Sequence, residues 1–314
     1  MENLFRKVSH FLVGPKISIF HEFHKPPYGG GNQFLIALEK ELRRKGLDVG
    51  RNKVGKNTAV CLFNSFNFDF NKLSELHKKF SPKMVHRVDG PISAYRGEDI
   101  HVDKKIWEMN HKLADKTIFQ SQYSLNKHIE LGFVFKNATI ISNAADPEIF
   151  HSKGRIAPPD GLRKIKLIAT AWSDNPKKGG PVLSWLDEHL DYSKYELTFV
   201  GRTRAEFKGA KFIPAVPSEK LAEILREHDI YLAPSQDDPC SNALIEALSC
   251  GLPAVYLLSG GHPELVKEAG EGFNGTDDLL EAIEKVSQNY SQYQRKIEVL
   301  SLSQVAEKYL EAFK

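Results

Sequence analysis

The sequence lacks the features that mark secreted, membrane-spanning or nucleic-acid-binding proteins. Its 314 residues include only three cysteines, and the spacing of Cys61, Cys240 and Cys250 fits no zinc motif. Such a small, odd number favours a reduced, cytoplasmic setting. No apolar run approaches the roughly 20 residues that a membrane span needs. The net charge is only +3, without a basic run, which argues against nucleic acid as a partner.

The first fourteen residues are the part of the sequence that suggests contact with a membrane. They mix leucine and phenylalanine with Arg6 and Lys7, but they lack the apolar core and cleavage site of a signal peptide. Such a segment can lie on a membrane surface as an amphipathic helix, or it can pack on the protein as a lead-in helix. We therefore expect a cytoplasmic protein, with peripheral membrane association as the second expectation.

Short β-like runs alternate with helical patterns along the chain, which is typical of parallel sheets with right-handed crossovers. The alternation stops in a polar, proline-containing stretch and then restarts. The sequence thus predicts an α/β protein with two Rossmann-like domains facing a cleft, and a C-terminal helix that packs back on the first domain. The predicted parts are a first domain at 1–150, a linker at 151–164, a second domain at 165–296 and a C-terminal helix at 297–314.

The predicted strands matter because ligands of open parallel sheets bind beyond the carboxyl ends of the strands. Side chains that directly follow a strand are therefore the first candidates for a site. The predicted strands are 16–20, 58–65, 83–90, 116–121 and 138–144 in the first half, and 165–172, 195–201, 211–216, 230–235 and 253–259 in the second.

Glycines follow the first predicted strand at the start of a helix. Gly30 and Gly31 would let backbone amides approach an anionic ligand at that helix start. A tight turn without a ligand explains the same residues. Phe34 occupies the third glycine position of the dinucleotide fingerprint, which disfavours an NAD-dependent dehydrogenase.

Two other strands of the first half end in polar residues. The strand at 83–90 ends in "HRVDG", where Asp89 is the best placed to face a ligand, although Arg87 and Asp89 can also form a structural pair. The strand at 138–144 carries Asn143 near its end, and Asp146 beyond it can serve simply to form a turn.

The second half carries a lysine pair and an acidic loop after its strands. Lys177 and Lys178 stand before two glycines at a helix start, where a lysine can reach a phosphate, although solvated lysines are the common alternative. Asp238 lies in the loop after the strand at 230–235. Ser241 is a candidate cap of the next helix, and Glu246 lies about one turn into it. The spacing of these two acids is not specific by itself.

Six segments, in order, resemble the group 1 glycosyltransferases of family 4, which have the GT-B fold. The most specific is the donor-site block "DPCSNALIEALSCGLPAV" with "GGHPELV" after it. The other segments are "KKGG", "GGGNQFLIALEKELRRKG", "LADKTIFQSQYS" and "SNAADPEIF". The resemblance covers about residues 16–290. It implies a retaining, metal-independent transferase with no cofactor, because the nucleotide-diphosphate sugar is its substrate.

The resemblance assigns roles by position. It implies that Asp238 contacts the donor sugar, that Lys178 neutralises the diphosphate and that Asp89 touches the sugar. It implies that Glu246 holds the ribose and that the first domain receives a glycan or lipid-linked acceptor. The other implied donor contacts are Cys240, Ser241, Asn242, Ala243, Gly30, Gly31, Lys177, Arg202, Ile213, Pro214 and Asn143.

Three positions depart from the family pattern. Asp238 replaces the usual glutamate, Ser173 replaces the arginine expected five residues before Lys178, and Ala144 replaces a glycine. Lys177 or Arg202 can compensate for the arginine. The departures leave two alternatives to an active transferase: a nucleotide-sugar-binding protein with little activity, and a nucleotide-sugar epimerase on the same fold.

Overall fold

The computed structural model describes residues 13–25, 29–97 and 100–314 and divides the chain into two compact units. The described residues of 13–25, 31–142 and 302–314 belong to the first unit, and those of 29–30 and 143–301 belong to the second. Most of the amphipathic segment predicted at the N-terminus lies outside the described residues. Among the described helices, none is long and apolar enough to cross a membrane.

The first unit is a six-stranded parallel sheet with helices between the strands. Its strand order is β2-β1-β3-β4-β5-β6. The strands are β1 (Ile17–Phe20), β2 (Val49–Arg51), β3 (Val60–Asn64), β4 (Lys83–Val88), β5 (Lys116–Phe119) and β6 (Ala138–Ile140). The helices are α1 (Gly30–Arg44), α2 (Phe70–Phe80), α3 (Ile92–Arg96), α4 (His101–Leu113) and α5 (Gln122–Glu130).

Helix α1 shows how the sequence pattern produces these elements. Phe34, Leu35, Leu38 and Leu42 recur at helical spacing, and all four are buried. Gly46 ends the segment in the left-handed region, at φ +83°, where a side chain would be strained.

The second unit repeats the architecture with a different strand order, β12-β11-β10-β7-β8-β9. Its strands are β7 (Ile165–Ala171), β8 (Tyr195–Gly201), β9 (Lys211–Pro214), β10 (Ile230–Ala233), β11 (Ala254–Leu257) and β12 (Gly270–Phe273). Its helices are α6 (Gly180–His189), α7 (Ser218–Arg226), α8 (Asn242–Ser249), α9 (His262–Val266), α10 (Thr276–Gln288) and α11 (Tyr290–Arg295), with a 3₁₀ turn at Pro176–Lys178.

Each sheet has a point where the direction of strand addition reverses. The reversal lies between β1 and β3 in the first sheet and between β7 and β10 in the second. The loops that leave such neighbouring strands diverge to opposite faces, which opens a crevice at the carboxyl edge.

The predicted linker starts too late in the sequence. The chain passes into the second unit between Ser142 and Asn143. Phe150 is buried in the second core, and the Arg155 guanidinium donates to the carbonyls of Gly251 and His228, at 2.7 and 2.9 Å. These contacts fix the start of the proline-containing stretch to the second unit, so its polar composition is misleading.

The C-terminal helix α12 (Leu302–Phe313) belongs to the first unit, as predicted. Tyr309 is fully buried, with its ring 5.9 Å from the ring of Phe34. Lys45 of the first unit pairs with Glu307 at 2.5 Å. The last helix therefore completes the core of the first unit, although the second unit precedes it in the sequence.

Candidate functional site

Two loops meet at the reversal point of the second sheet and bring together the lysine pair and the acidic pair. The Lys178 Nζ lies 2.8 Å from an Asp238 carboxylate oxygen, and the Lys177 Nζ lies 3.1 Å from Asp237. A backbone bond of 2.7 Å, from the Gln236 amide to the Lys177 carbonyl, joins the loops. The pair of Lys177 and Asp237 belongs to the same cluster, and it was not predicted from the sequence.

Two glycines permit the close approach of these loops. Gly179 has φ +88°, and a Cβ there would lie 2.4 Å from the Pro234 ring. Gly260, in the loop after β11, has φ +64°, and its Cβ would lie 2.3 Å from the Asp238 carbonyl oxygen. Only glycine fits both the backbone conformation and the space at these positions.

Asp238 is nearly buried yet ionised. Burial alone raises the pKa of its carboxyl group, but the charge of Lys178, the neighbouring His262 and the Cys240 amide outweigh this effect. The Cys240 amide donates to Asp238 Oδ1 at 3.3 Å. The net result is a pKa below the ordinary value, so the carboxylate is charged at neutral pH.

His262 supports this loop and was missed by the sequence reasoning. Its ring is fully buried, with Nδ1 3.1 Å from the Leu257 carbonyl and Nε2 3.1 Å from the Ser235 hydroxyl. Burial lowers its pKa, so it is a neutral brace behind Asp238. The signal in the sequence is the segment "GGHPELV", in which His262 comes shortly after a predicted strand.

Helix α8 begins beside this cluster. The Ser241 hydroxyl accepts from the Leu244 amide at 3.4 Å and caps the helix, as expected. The first amides of any helix, here those of Asn242 and Ala243, have no intrahelical acceptor. The Asn143 side chain donates to the Asn242 side-chain oxygen at 3.0 Å, which joins two predicted donor contacts in one unit. A helix start with adjacent lysines is suited to an anion.

Glu246 differs from the other acids of the site because its carboxylate has no hydrogen-bonding or ionic partner among the described residues. It is only partly exposed, and burial raises its pKa to about 8. Glu246 lies in the middle of α8, one turn after the helix start that borders the cluster. An acid without a partner at this position is available to bind hydroxyl groups.

The remaining predicted donor contacts of the second unit lie on β8 and β9. Arg202 directly follows β8, is exposed, and stacks its guanidinium 5.0 Å from the Trp172 ring, next to Ser173. Ile213 and Pro214 end β9, the outermost strand of its sheet, and the Ile213 side chain packs on the core. Arg202 thus lies against Trp172, the sequence neighbour of Ser173, while Arg204 pairs with Asp174 on the other side of Ser173 at 2.9 Å.

In the first unit, Asp89 follows β4 and is tightly held. Its carboxylate accepts from Arg87 at 3.0 Å, from Ser65 at 3.2 Å and from the Gln120 amide. Asp89 therefore forms the structural pair with Arg87, and it also lies at the carboxyl edge of the sheet, where a ligand is expected. Gly30 and Gly31 begin α1, and their predicted donor contact stays a prediction. No group of three or more potential metal ligands is found within the described ranges.

These features first define the fold class. The two parallel six-stranded sheets match solved structures with the GT-B fold. Sucrose-phosphate synthase from Thermosynechococcus elongatus matches with a TM-score of 0.71 at 14% identity, over 95% of this chain and 98% of that one. HepE from Anabaena, in complex with UDP-glucose, matches with a TM-score of 0.68 at 14% identity, over 94% and 99% of the chains.

Residues 145–299 match the family described as glycosyl transferases group 1. The match falls within the second unit, and it confirms the resemblance to group 1 glycosyltransferases that the sequence motifs indicated. The matched segment contains the lysine pair, the acidic loop, Glu246 and the glycines of the site. The narrower placement in family 4 stays a prediction.

Curated relatives share part of this sequence. A D-inositol 3-phosphate glycosyltransferase from Mycobacteroides abscessus is 31% identical over 150 residues, which is 44% of this chain and 32% of that protein. A probable sucrose-phosphate synthase from Thermosipho melanesiensis is 26% identical over 222 residues, 61% of this chain and 51% of that protein. The chain spans about a third to a half of the length of these relatives.

Proposed function

We propose that this protein transfers a sugar from a nucleotide-diphosphate sugar to a hydroxyl group of a glycan or lipid-linked acceptor. The observation that carries the proposal is the Lys178–Asp238 pair at the reversal point of the second sheet, followed by the helix α8 that carries the unpartnered Glu246. The second unit would bind the donor and the first unit the acceptor. A cytoplasmic location, with or without peripheral membrane contact, belongs to the same proposal.

The diphosphate of the donor fits the positive groups of the site. In a sugar transfer the bond from the anomeric carbon to the diphosphate breaks, and negative charge develops on the leaving oxygen. Lys178, Lys177 and the amides at Ser241, Asn242 and Ala243 are the groups that would stabilise this charge. Because Lys178 is about a third exposed and paired with one carboxylate, it can turn from Asp238 to a phosphate at little cost.

The acids and the strand ends would bind the rest of the donor. Glu246 would accept hydrogen bonds from the ribose hydroxyls, and Asp238 from the sugar. The backbone at Ile213 and Pro214 would meet the base, with Arg202 replacing the arginine that Ser173 lacks. Cys240 and Asn143 support the loop and the helix start that these groups need.

The reaction is proposed to retain the configuration of the anomeric carbon and to proceed without a metal ion. The acceptor oxygen forms its bond on the face that the diphosphate leaves. The acceptor proton passes to the departing diphosphate oxygen, so that the products are the new glycoside and a nucleoside diphosphate. Lys178 supports the metal-free route because its cation would neutralise the charge that develops on the diphosphate.

The test is a thermal-shift panel of nucleoside diphosphates and nucleotide sugars, followed by NMR of the products with the best donor. A ligand at a hundred times its Kd stabilises the protein by about 2.7 kcal/mol. We expect stabilisation by one class of nucleoside diphosphate, and a product with the anomeric configuration of the donor. A protein that neither binds nor turns over any nucleotide sugar contradicts the proposal, and an inverted product contradicts retention.

A second candidate is a nucleotide-sugar-binding protein with little transferase activity. The observation that favours it is the shortened acid Asp238, held by Lys178, together with Ser173, whose hydroxyl only accepts from the Asn175 amide at 3.2 Å. Calorimetric binding of a nucleoside diphosphate without turnover of any nucleotide sugar would support this candidate.

A further inference from the structure

His21 is a buried histidine at the reversal point of the first sheet. It directly follows β1, while Ser65 directly follows β3, the neighbouring strand across the reversal. The residue is only 7% exposed, and neither ring nitrogen has a hydrogen-bond partner within the described part of the chain. Buried polar atoms in native proteins nearly always have partners. The orphaned ring therefore points to a group that the polypeptide itself does not supply.

The position of this ring is fixed by its backbone. The Asn52 side chain accepts from the His21 amide at 3.0 Å and donates to the His21 carbonyl at 2.9 Å. The ring of Phe23 contacts the imidazole edge to face, with centroids 5.3 Å apart. Three residues on, Asn32 holds His24 by the same pair of backbone bonds, both 3.0 Å. The loop is thus rigid around a side chain that is left without a partner.

A neighbouring histidine shows how this unit satisfies a structural imidazole. His86 on β4 is fully buried, and both of its ring nitrogens have partners: the Ser65 carbonyl at 2.9 Å and the Asn110 side chain at 3.1 Å. His21 lies nearer the open end of the sheet and has neither kind of partner. This difference separates a core histidine from one that is available to a ligand.

The charges that face His21 leave it neutral. Burial lowers its pKa to about 4; the Asp89 carboxylate opposes this effect, while Arg87 and His24 add to it. A neutral imidazole offers one N–H donor and one nitrogen acceptor. A hydroxyl group also donates one hydrogen bond and accepts others, so it is the ligand group that matches such a ring.

We propose that His21 contacts the acceptor in the first unit and holds its reacting hydroxyl group by a hydrogen bond. This inference rests on the proposed transfer reaction, and it names a residue that neither the lysine–aspartate site nor the sequence motifs had included. Asp89, held by Arg87, Ser65 and Gln120, lies close enough to His21 to raise the pKa of its imidazole against the effect of burial.

The experiment measures turnover of the best nucleotide sugar from the thermal-shift panel, with water as the acceptor and with any acceptor that supports transfer. We compare the full-length protein with His21→Phe, which keeps the aromatic contact, and with His21→Gln, which restores a neutral donor and acceptor. The matched control is His128→Phe. His128 is fully buried on α5. Its Nδ1 is bonded to the Ser124 carbonyl at 2.8 Å and its ring packs on Phe119 and Phe135, so that only its Nε2 has no hydrogen-bond partner among the described residues.

We expect His21→Phe to lower kcat about tenfold with the donor KM unchanged, which corresponds to about 1.4 kcal/mol. His21→Gln should recover most of the rate. The Tm of His21→Phe should equal or exceed that of the wild type, because an unpartnered polar group leaves the interior. His128→Phe should lower the Tm and leave kcat unchanged.

A wild-type kcat in His21→Phe, or a loss of kcat and Tm together that His21→Gln does not restore, would overturn the inference. These results would leave the proposed function intact. A wild-type protein that turns over no nucleotide sugar would instead contradict the proposed function itself, so the two failures are distinguishable.

Discussion

The carboxyl edges of the two sheets hold their charges in opposite ways. In the first sheet, the Arg87 guanidinium is fully buried, contacts Asn64 at 2.5 Å and Asp89 at 3.0 Å, and lies over the Phe34 ring at 5.0 Å. In the second sheet, Lys177 and Lys178 are about a third exposed and each pairs with one aspartate.

This difference indicates that the ion pairs of the first sheet are structural, whereas those of the second sheet can exchange one anionic partner for another. A buried, multiply bonded arginine cannot leave its partners without a large loss of stability. A flexible lysine in a partly exposed pair gains little from that pair and can transfer its charge to another anion. The first edge is therefore suited to keeping the loops around Arg87 in a fixed arrangement, and the second to receiving a diphosphate.

The largest effect should come from Lys178→Ala. Loss of a preorganised charge at a developing anion typically reduces the rate by about 10²–10³, and the substitution also leaves the nearly buried Asp238 without its cation. We expect kcat/KM to fall by that factor. Lys177→Ala should cost less, since its partner Asp237 is more exposed. Steady-state kinetics on both variants checks the order.

Lys220→Ala is the matched control for this comparison. Lys220 pairs with Glu223 at 2.8 Å on the exposed face of α7, and neither residue is a predicted contact of the donor. It should have wild-type kinetics. Equal losses of kcat/KM in Lys178→Ala and Lys220→Ala would show that the loss comes from the change in the net charge of the protein and not from the position of Lys178 in the site.

The next effect concerns the backbone that shapes the second edge. Gly260→Ala places a Cβ in contact with the Asp238 carbonyl, at a positive φ. We expect a loss of about 2–4 kcal/mol in the free energy of unfolding, because strain and a backbone clash add. Denaturant unfolding measures it. Gly275→Ala, with no atom within 4 Å of its added Cβ, should differ from the wild type by less than about 1 kcal/mol. Similar losses in the two variants would contradict the close approach.

The sequence predicted more of the second edge than of the first. "KKGG", Asp238, the Ser241 cap and Glu246 each follow a strand or begin a helix, and they come together because parallel strands end at one edge. His21 directly follows the first predicted strand, yet nothing in the sequence indicates that its ring nitrogens have no partner. The burial of the His21 ring and its lack of hydrogen bonds depend on how residues distant in the chain, such as Asn52, hold its backbone.

The fold shows the same limit at the ends of the sheets. All ten predicted strands are present, but β2 and β12 were not predicted. Both are outermost strands, are only three or four residues long and contain glycine, so they have little β-like composition of their own. They form because the adjacent strands β1 and β11 offer backbone partners.

A smaller effect is the response of the second unit to rising pH. With a folded pKa near 8 and an ordinary value of 4.5, Glu246 remains protonated in the folded protein over the range in which the unfolded chain ionises. The protonated Glu246 carboxyl group makes its full contribution to the free energy of unfolding below pH 4.5, and this contribution is lost as the pH rises towards 8. Glu246→Gln should thus be more stable than the wild type at pH 9 by about 2 kcal/mol, after allowance for partial exposure.

Denaturant unfolding at pH 4.5 and pH 9 checks this prediction, with Glu223→Gln as the control. Glu223 is an exposed glutamate on α7 whose pKa is lowered by its bond to Lys220, the opposite direction. A Glu246→Gln variant whose advantage over the wild type is the same at both pH values would show that the carboxyl group does not titrate as its burial requires.

The smallest expected effect is a loss of stability at acid pH that is confined to the first unit. Burial lowers the pKa of His86 to about 3, with the Ser65 carbonyl and Asp89 opposing. Its neutral ring therefore stabilises the fold fully above pH 6.5, and this stabilisation falls as the pH drops through 6.5 towards 3. Between pH 6.5 and 5.5 the loss is about 1 kcal/mol. His86→Gln should flatten that part of the profile.

Tryptophan fluorescence can assign this loss to one unit. Trp107 is the tryptophan of the first unit, and Trp172 and Trp185 lie in the second. With Trp172 and Trp185 replaced by phenylalanine, unfolding seen through Trp107 should shift to lower denaturant as the pH falls, and less so with His86→Gln added. A pH shift of equal size with and without His86→Gln would mean that other groups destabilise this unit in acid. The imidazole of His86 would then titrate near its ordinary pKa despite complete burial.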